Sequence, residues 1–129
     1  MSANKKILIV DDDQFLINMY TVKFGKSDFE VASAGSAAEA LAKLRDGYDP
    51  DILLLDIVMP AMDGLELLRV LRKESLCARS VVIVLSNQGQ QADVNKAKEL
   101  GVAGYIVKAS TIPSEVLKQV IEIYEKRKK

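Results

Sequence analysis

Four short runs along the chain are apolar at every position, and each stops at a polar side chain. Ile7–Val10 stops at Asp11-Asp12-Asp13, Ile52–Leu55 at Asp56, Val81–Leu85 at Ser86, and Tyr105–Val107 at Lys108. A strand with one wet face alternates apolar and polar positions. An unbroken apolar run instead predicts a strand covered on both faces, as at the centre of a parallel sheet. Phe29–Ala34, more mixed, reads as a second strand between the first two of these.

The segments between the strands carry a helical period. Phe15, Leu16, Met19, Tyr20 and Phe24 predict a first helix, with Gly25 as its stop. Ser36 caps a second helix of Ala37, Ala38, Ala40, Leu41 and Leu44, with Glu39 placed for a capping box, and Gly47 to Asp51 is the return loop. Asp63-Gly64 opens a third helix whose Leu65, Leu68 and Leu71 face inward, ending near Glu74. Gln90–Leu100 predicts a fourth helix with a thin buried stripe (Val94, Ala97, Leu100), stopped by Gly101 and easily shifted. A fifth starts near Pro113 or Ser114, carries Val116, Leu117, Val120, Ile121 and Tyr124, and ends in a basic run that complements the helix dipole.

Strands alternating with helices through short loops predict right-handed crossovers and a doubly wound α/β sheet. The expected architecture is a five-stranded parallel sheet of the flavodoxin-like (βα)5 type, strand order 2-1-3-4-5. Its ligand crevice lies outside the carboxyl ends of the strands, between the first and third. Asp11, Asp12 and Asp56 would meet there.

At 129 residues the chain reads as one domain, 1–129, long enough to bury a full core without a metal or disulfide staple. Lys plus Arg and Asp plus Glu balance at 18 each, which removes the charge signature of direct nucleic-acid or membrane-surface binding. Cys77 is the only cysteine, so no internal disulfide forms; with no apolar run of membrane-spanning or signal-peptide length, a cytoplasmic location is expected. The chain holds no histidine, which excludes Ser-His-Asp and Cys-His catalysis, His-ligated zinc and a phosphohistidine carrier role. Carboxylate chemistry remains.

Three carboxylates in one crevice are unstable without help. A pair near 4 Å repels by roughly 4 kcal/mol at an effective dielectric of 20, so the site must recruit a cation, shift a pKa or spread apart. Mg²⁺ suits such an all-oxygen site because it takes one or two carboxylates, several waters and a phosphate oxygen. Asp11 and Asp12, being neighbours, suit a shared metal. Asp56 stands alone at its strand end and is the candidate nucleophile, forming an acyl phosphate. Lys108 and Ser86 would meet the remaining phosphoryl oxygens. Taken singly, each residue has a plainer role: Asp11–Asp13 as helix caps, Asp56 as a turn residue, Ser86 as a cap, Lys108 as a surface charge, Tyr105 as core. Their joint placement at matching strand ends favours the chemical role, although Asp13 is expected only to cap.

With these residues assembled, the chain resembles a response-regulator receiver domain of two-component signal transduction, similar to the single-domain chemotaxis regulators. The likeness runs through Ile7-Leu-Ile-Val-Asp-Asp, Leu54-Leu-Asp-Ile-Val-Met-Pro-Ala-Met-Asp-Gly, Leu85-Ser86 and Gly104-Tyr-Ile-Val-Lys108. It implies that Asp56 accepts a phosphoryl group from a histidine kinase or a His-containing phosphotransfer protein. It further implies that Asp11, Asp12, Asp56 and the backbone carbonyl of Val58 hold Mg²⁺, that Lys108 and Ser86 contact the phosphoryl oxygens, and that Ser86 and Tyr105 form the switch. The face made by the fourth helix, fifth strand and fifth helix would then meet an output partner, with phosphorylation-dependent dimerisation through it an open expectation.

The chain departs from that family in three places. Ala109 stands after Lys108 where a proline with a cis bond is usual, and a cis bond there would cost about 2.5–4 kcal/mol. Ser86 replaces the more usual Thr, and Val58 and Gln88 occupy the positions that tune the access of attacking water. The resemblance implies a signalling module rather than an enzyme. The alternatives are an Mg²⁺-dependent phosphohydrolase using an aspartyl-phosphate intermediate, disfavoured by Val58 where a second Asp is wanted, and a receiver excised from a hybrid kinase or transcription factor.

Overall fold

A computed structural model describes residues 5–87, 91–108 and 112–128. Ten elements alternate along them: β1 (Lys5–Val10), α1 (Gln14–Gly25), β2 (Phe29–Ala34), α2 (Ala37–Arg45), β3 (Ile52–Leu55), α3 (Gly64–Lys73), β4 (Val81–Ser86), α4 (Gln91–Glu99), β5 (Gly104–Val107) and α5 (Pro113–Lys128). The strands pair in parallel in the order β2-β1-β3-β4-β5, the predicted topology.

The unbroken apolar runs of β1, β3 and β4 bury both faces, and the two faces feed separate cores. β5 is just as apolar but lies at the sheet edge, so only Ile106 is fully buried and the expected cover on both faces is not met there. Leu8, Val10, Leu53, Leu55 and Val82 point to one side, against Ala40, Leu41 and Leu44 of α2 and Leu67, Leu68 and Leu71 of α3. Ile7, Ile9, Ile52, Leu54, Ile83 and Ile106 point to the other, against Ile17, Tyr20 and Phe24 of α1 and Val116 and Val120 of α5. β2 is an edge strand, so its Glu30 is exposed while Phe29 and Ala34 are buried.

The helix starts follow local hydrogen-bonding rules. Asp13 caps α1 by accepting from the N–H groups of Phe15 at 3.0 Å and Leu16 at 3.3 Å. Ser36 caps α2 through the Glu39 N–H at 3.1 Å, but the Glu39 carboxylate reaches past it to the Gly35 N–H, so the expected box is only half closed. A complete capping box stands instead on α3, where Asp63 accepts from the Glu66 N–H and Glu66 accepts from the Asp63 N–H.

Two details of helix one differ from expectation. The helix is apolar on both sides, and the sheet takes in Ile17, Tyr20 and Phe24 while Phe15 stays 75 % exposed. Gly25 is the last helical residue without a left-handed backbone, and the chain turns at Asp28 (φ 66°). Gly101, with φ 84°, does end α4 as predicted. Cys77 lies in the loop after α3, buried, with φ 56°. Gln88, Gln90 and the Lys108-Ala109 peptide bond lie outside the described residues. No helix among the described residues is long and apolar enough to cross a membrane.

Candidate active site at the carboxyl edge of the sheet

Strand register brings the acidic residues together. Val10 lies opposite Leu55, the Asp56 N–H donates to the Val10 carbonyl at 2.9 Å, and the Asp11 N–H donates to the Ala34 carbonyl at 3.1 Å. β1 and β3 therefore end in step and present Asp11 and Asp56 side by side. Asp11, Asp12 and Asp56 each offer a carboxylate oxygen within 4.8 Å of the others. Asp11 and Asp56 are buried at 2 % and 5 % exposure, whereas Asp12 is open to solvent at the mouth.

Lys108, one residue past β5, reaches back across the sheet to this trio. Its Nζ lies 2.7 Å from Asp11 Oδ2 and 3.5 Å from Asp56 Oδ2. The other Asp11 oxygen accepts from the Asp13 N–H at 2.9 Å, so Asp11 is held at both oxygens. Asp56 is held loosely by comparison; among the described residues its side chain has a long 3.4 Å bond from the Val58 N–H besides Lys108. Burial accordingly pushes the Asp56 carboxyl up to about 6; Lys108 and the Val58 N–H oppose the rise, and Asp11 and Asp12 add to it. Burial alone would lower the Lys108 pKa, but its hydrogen bond to Asp11 and the charges of Asp56 and Asp11 outweigh it and raise the value.

Among the described residues, the trio of carboxylates is met by one ammonium, Lys108, which pairs with Asp11 and Asp56. Asp56, weakly engaged and with its basicity raised, is the carboxylate best suited to attack an electrophile; the oxygens of the trio suit a small hard divalent cation.

Ser86 closes β4 and is 1 % exposed. Tyr105, half-buried in β5, shares a hydrogen bond with the Ser86 side chain; burial raises the tyrosine pKa and that bond opposes the rise. The pair Ser86↔Val107 in the β4–β5 ladder puts Lys108 one step beyond Ser86. The site residues expected from the strand ends thus converge on one edge of the sheet. Val58 contributes its N–H to Asp56, and its side chain is 54 % exposed.

Two further residues shape the site. A Cβ on Gly64 would lie 2.1 Å from the Asp56 carbonyl oxygen, and the Gly64 N–H donates to the Ile57 carbonyl at 2.8 Å. Only glycine lets α3 start this close to the Asp56-Ile57 peptide. The Asp63-Gly64 pair signalled a turn in the sequence, not what the glycine would touch. Tyr20 is the other: 2 % exposed on α1, its hydroxyl feels both Lys108 and Asp11, although burial is the main cause of its raised pKa. Its helical spacing marked it as core and gave no sign of the site.

The response regulator receiver domain model matches residues 7–122, and the chain belongs to that family. It is 32 % identical over 110 residues to the chemotaxis protein CheY of Halobacterium salinarum, covering 85 % of this chain and 89 % of that protein. It is also 32 % identical over 113 residues to the alkaline phosphatase synthesis transcriptional regulatory protein PhoP of Bacillus subtilis, covering 88 % of this chain but 45 % of the relative, so it spans about half of that protein's length. Among solved structures it is similar to a chain of the CheX-CheY-BeF3-Mg²⁺ complex from Borrelia burgdorferi, at 30 % identity and TM-score 0.82 over 95 % of this chain and 90 % of that one. The chain is a receiver module of two-component signalling with a CheY-like fold.

Proposed function

We propose that this receiver accepts a phosphoryl group on Asp56 from the phosphohistidine of a kinase or phosphotransfer protein, and that the modification alters the α4-β5-α5 face for an output partner. The observation that carries this reading is the asymmetry of the buried carboxylates: Asp11 is fixed at both oxygens, while Asp56 is loosely held and made more basic by burial.

In the transfer step an Asp56 carboxylate oxygen forms a bond to phosphorus as the phosphorus–nitrogen bond breaks, the electron pair leaving on the imidazole nitrogen. Lys108 sits between Asp11 and Asp56 and can follow the developing charge on a phosphoryl oxygen without crossing the site. Ser86, at the same edge, is placed to give up its bond with Tyr105 and donate to another phosphoryl oxygen. Tyr105 then loses its Ser86 bond and repacks. Hydrolysis by water returns the carboxylate and inorganic phosphate, so the cycle is self-limiting and the chain acts as a signalling module, not an enzyme on a separate substrate.

The donor set fits Mg²⁺: Asp11, Asp12, Asp56 and the Val58 carbonyl would hold it, with Asp12 at the open mouth. When bound, the ion would neutralise phosphoryl oxygens and offset the repulsion among the three carboxylates. The same α4-β5-α5 output would serve a single-domain regulator or the receiver part of a longer one. A cytoplasmic location and one domain over 1–129 belong to this reading.

Intact mass after incubation with acetyl phosphate tests it, with and without Mg²⁺ and alongside Asp56→Asn. One added phosphoryl group requiring both Mg²⁺ and Asp56 is expected. Steady phosphate release with no adduct that survives rapid quenching would favour a phosphohydrolase; neither adduct nor release would sink the acceptor role.

A further inference from the structure

The two ends of α4 are held very differently. Along Gln91–Glu99 only Ala97 is buried, and the apolar contacts collect at the C-terminal end, where Ala97, Leu100 and Val102 join Ile57, Leu65 and Val84. That end is also tied by backbone. The Gly101 N–H donates to the Lys98 carbonyl at 3.0 Å and the Val102 N–H to the Ala97 carbonyl at 3.2 Å, the paired bonds of a Schellman stop, with Gly101 in the left-handed region. The next N–H, of Ala103, donates to the Val82 carbonyl at 2.7 Å and fastens the turn to β4.

A side chain from another helix completes the clamp. Arg72, in the last turn of α3, donates from Nε to the Leu100 carbonyl at 2.8 Å and from a terminal nitrogen to the Gly101 carbonyl at 3.4 Å. These oxygens lie at the negative end of the α4 dipole, where a guanidinium is favourable as charge as well as donor. The described N-terminal turn has no comparable burial, with Gln91, Ala92 and Asn95 exposed and Asp93 and Val94 half-buried.

We propose that Arg72 is a positioning residue that pins the C-terminal end of α4, so that the helix turns as a lever about Leu100-Gly101 while its N-terminal end, nearer Ser86, does the moving. Switching would then displace the N-terminal half of the output helix and leave the α4–β5 turn fixed. The part of this that concerns switching rests on the phosphorylation reading above; the pin itself does not.

Amide hydrogen exchange on the whole chain tests both parts, using wild type, Arg72→Ala and Arg72→Lys. Without ligand, Arg72→Ala should speed exchange at Leu100, Val102 and Ala103 by about tenfold while the amides of β1 keep their rates. Arg72→Lys should fall between, because an ammonium holds a carbonyl but lacks the fork. Unchanged rates at those three amides in Arg72→Ala, or a uniform acceleration that includes β1, would overturn the pin.

Beryllofluoride with Mg²⁺ provides the second arm. In wild type the response should concentrate at 91–96 and be small at 100–103; in Arg72→Ala it should spread into 100–103. A response spread evenly along α4 in wild type would overturn the lever. No response anywhere, with the first arm positive, would leave the pin standing, deny the lever and count against the acceptor reading itself.

Discussion

Replacing Asp56 by Asn should make the metal-free protein more stable at neutral pH, by an amount fixed by the buried carboxylate. The Asp56 carboxyl is 5 % exposed, and its pKa is raised from 3.8 to about 6, first by burial and then by Asp11 and Asp12, against the opposing pull of Lys108 and the Val58 N–H. Because the folded value lies above the unfolded one, the folded state binds the proton more tightly, and the ionised carboxylate costs stability at high pH. That cost is absent at pH 3 and complete above pH 6–7. Integrating proton linkage between the two values gives a cost below about 1 kcal/mol at pH 4, about 2 at pH 5 and about 3 at pH 7. Asparagine keeps the shape without the charge and leaves Lys108 its 2.7 Å partner, Asp11. Urea unfolding of both proteins in EDTA from pH 4 to pH 8, two-state at this chain length, measures the difference. Any hydrogen bond gained or lost by the amide adds a constant; the diagnostic is the rise of the Asn advantage by about 2–3 kcal/mol between pH 4 and pH 7. A flat difference across that range would refute the claim that Asp56 is a desolvated, weakly compensated carboxylate.

Three other substitutions probe the site and its frame. Lys108→Met leaves Asp11 and Asp56 buried without their cation, so a loss of about 3–5 kcal/mol is expected in urea unfolding at pH 7, together with loss of the phosphoryl adduct by intact mass. Gly64→Ala drives a methyl onto the Asp56 carbonyl oxygen, with backbone on both sides of the contact. A destabilisation of about 1–3 kcal/mol and slower adduct formation should follow, the latter because the Asp56-Ile57 peptide must shift. Tyr48→Phe should stabilise the fold by about 1 kcal/mol, read from the denaturation midpoint, because the buried Tyr48 hydroxyl has no hydrogen-bond partner among the described residues.

The sequence alone determined the alternation of strands and helices, the strand order and the polar residues that end the strands. The physical reason is local. Unbroken apolar runs at Ile7–Val10 and Ile52–Leu55 admit a strand buried on both faces and little else, and the chain direction then delivers Asp11, Asp56, Ser86 and Lys108 to one edge. Tertiary structure decided what depends on distance. The apolar residues of helix one spread beyond a single face, so its periodicity could not say that Phe15 would be wet and Ile17 dry; the position of the sheet does. Composition gave Lys108 no preference between Asp11 and Asp56, yet the register of β5 sets it 2.7 Å from one and 3.5 Å from the other. The contacts of Gly64 with the Asp56 backbone and of Arg72 with the Leu100 and Gly101 carbonyls join elements far apart in the chain, and no pattern within either segment specifies them. Residue spacing encodes which face a side chain takes on its own element; which oxygen it then touches is settled only when the elements pack.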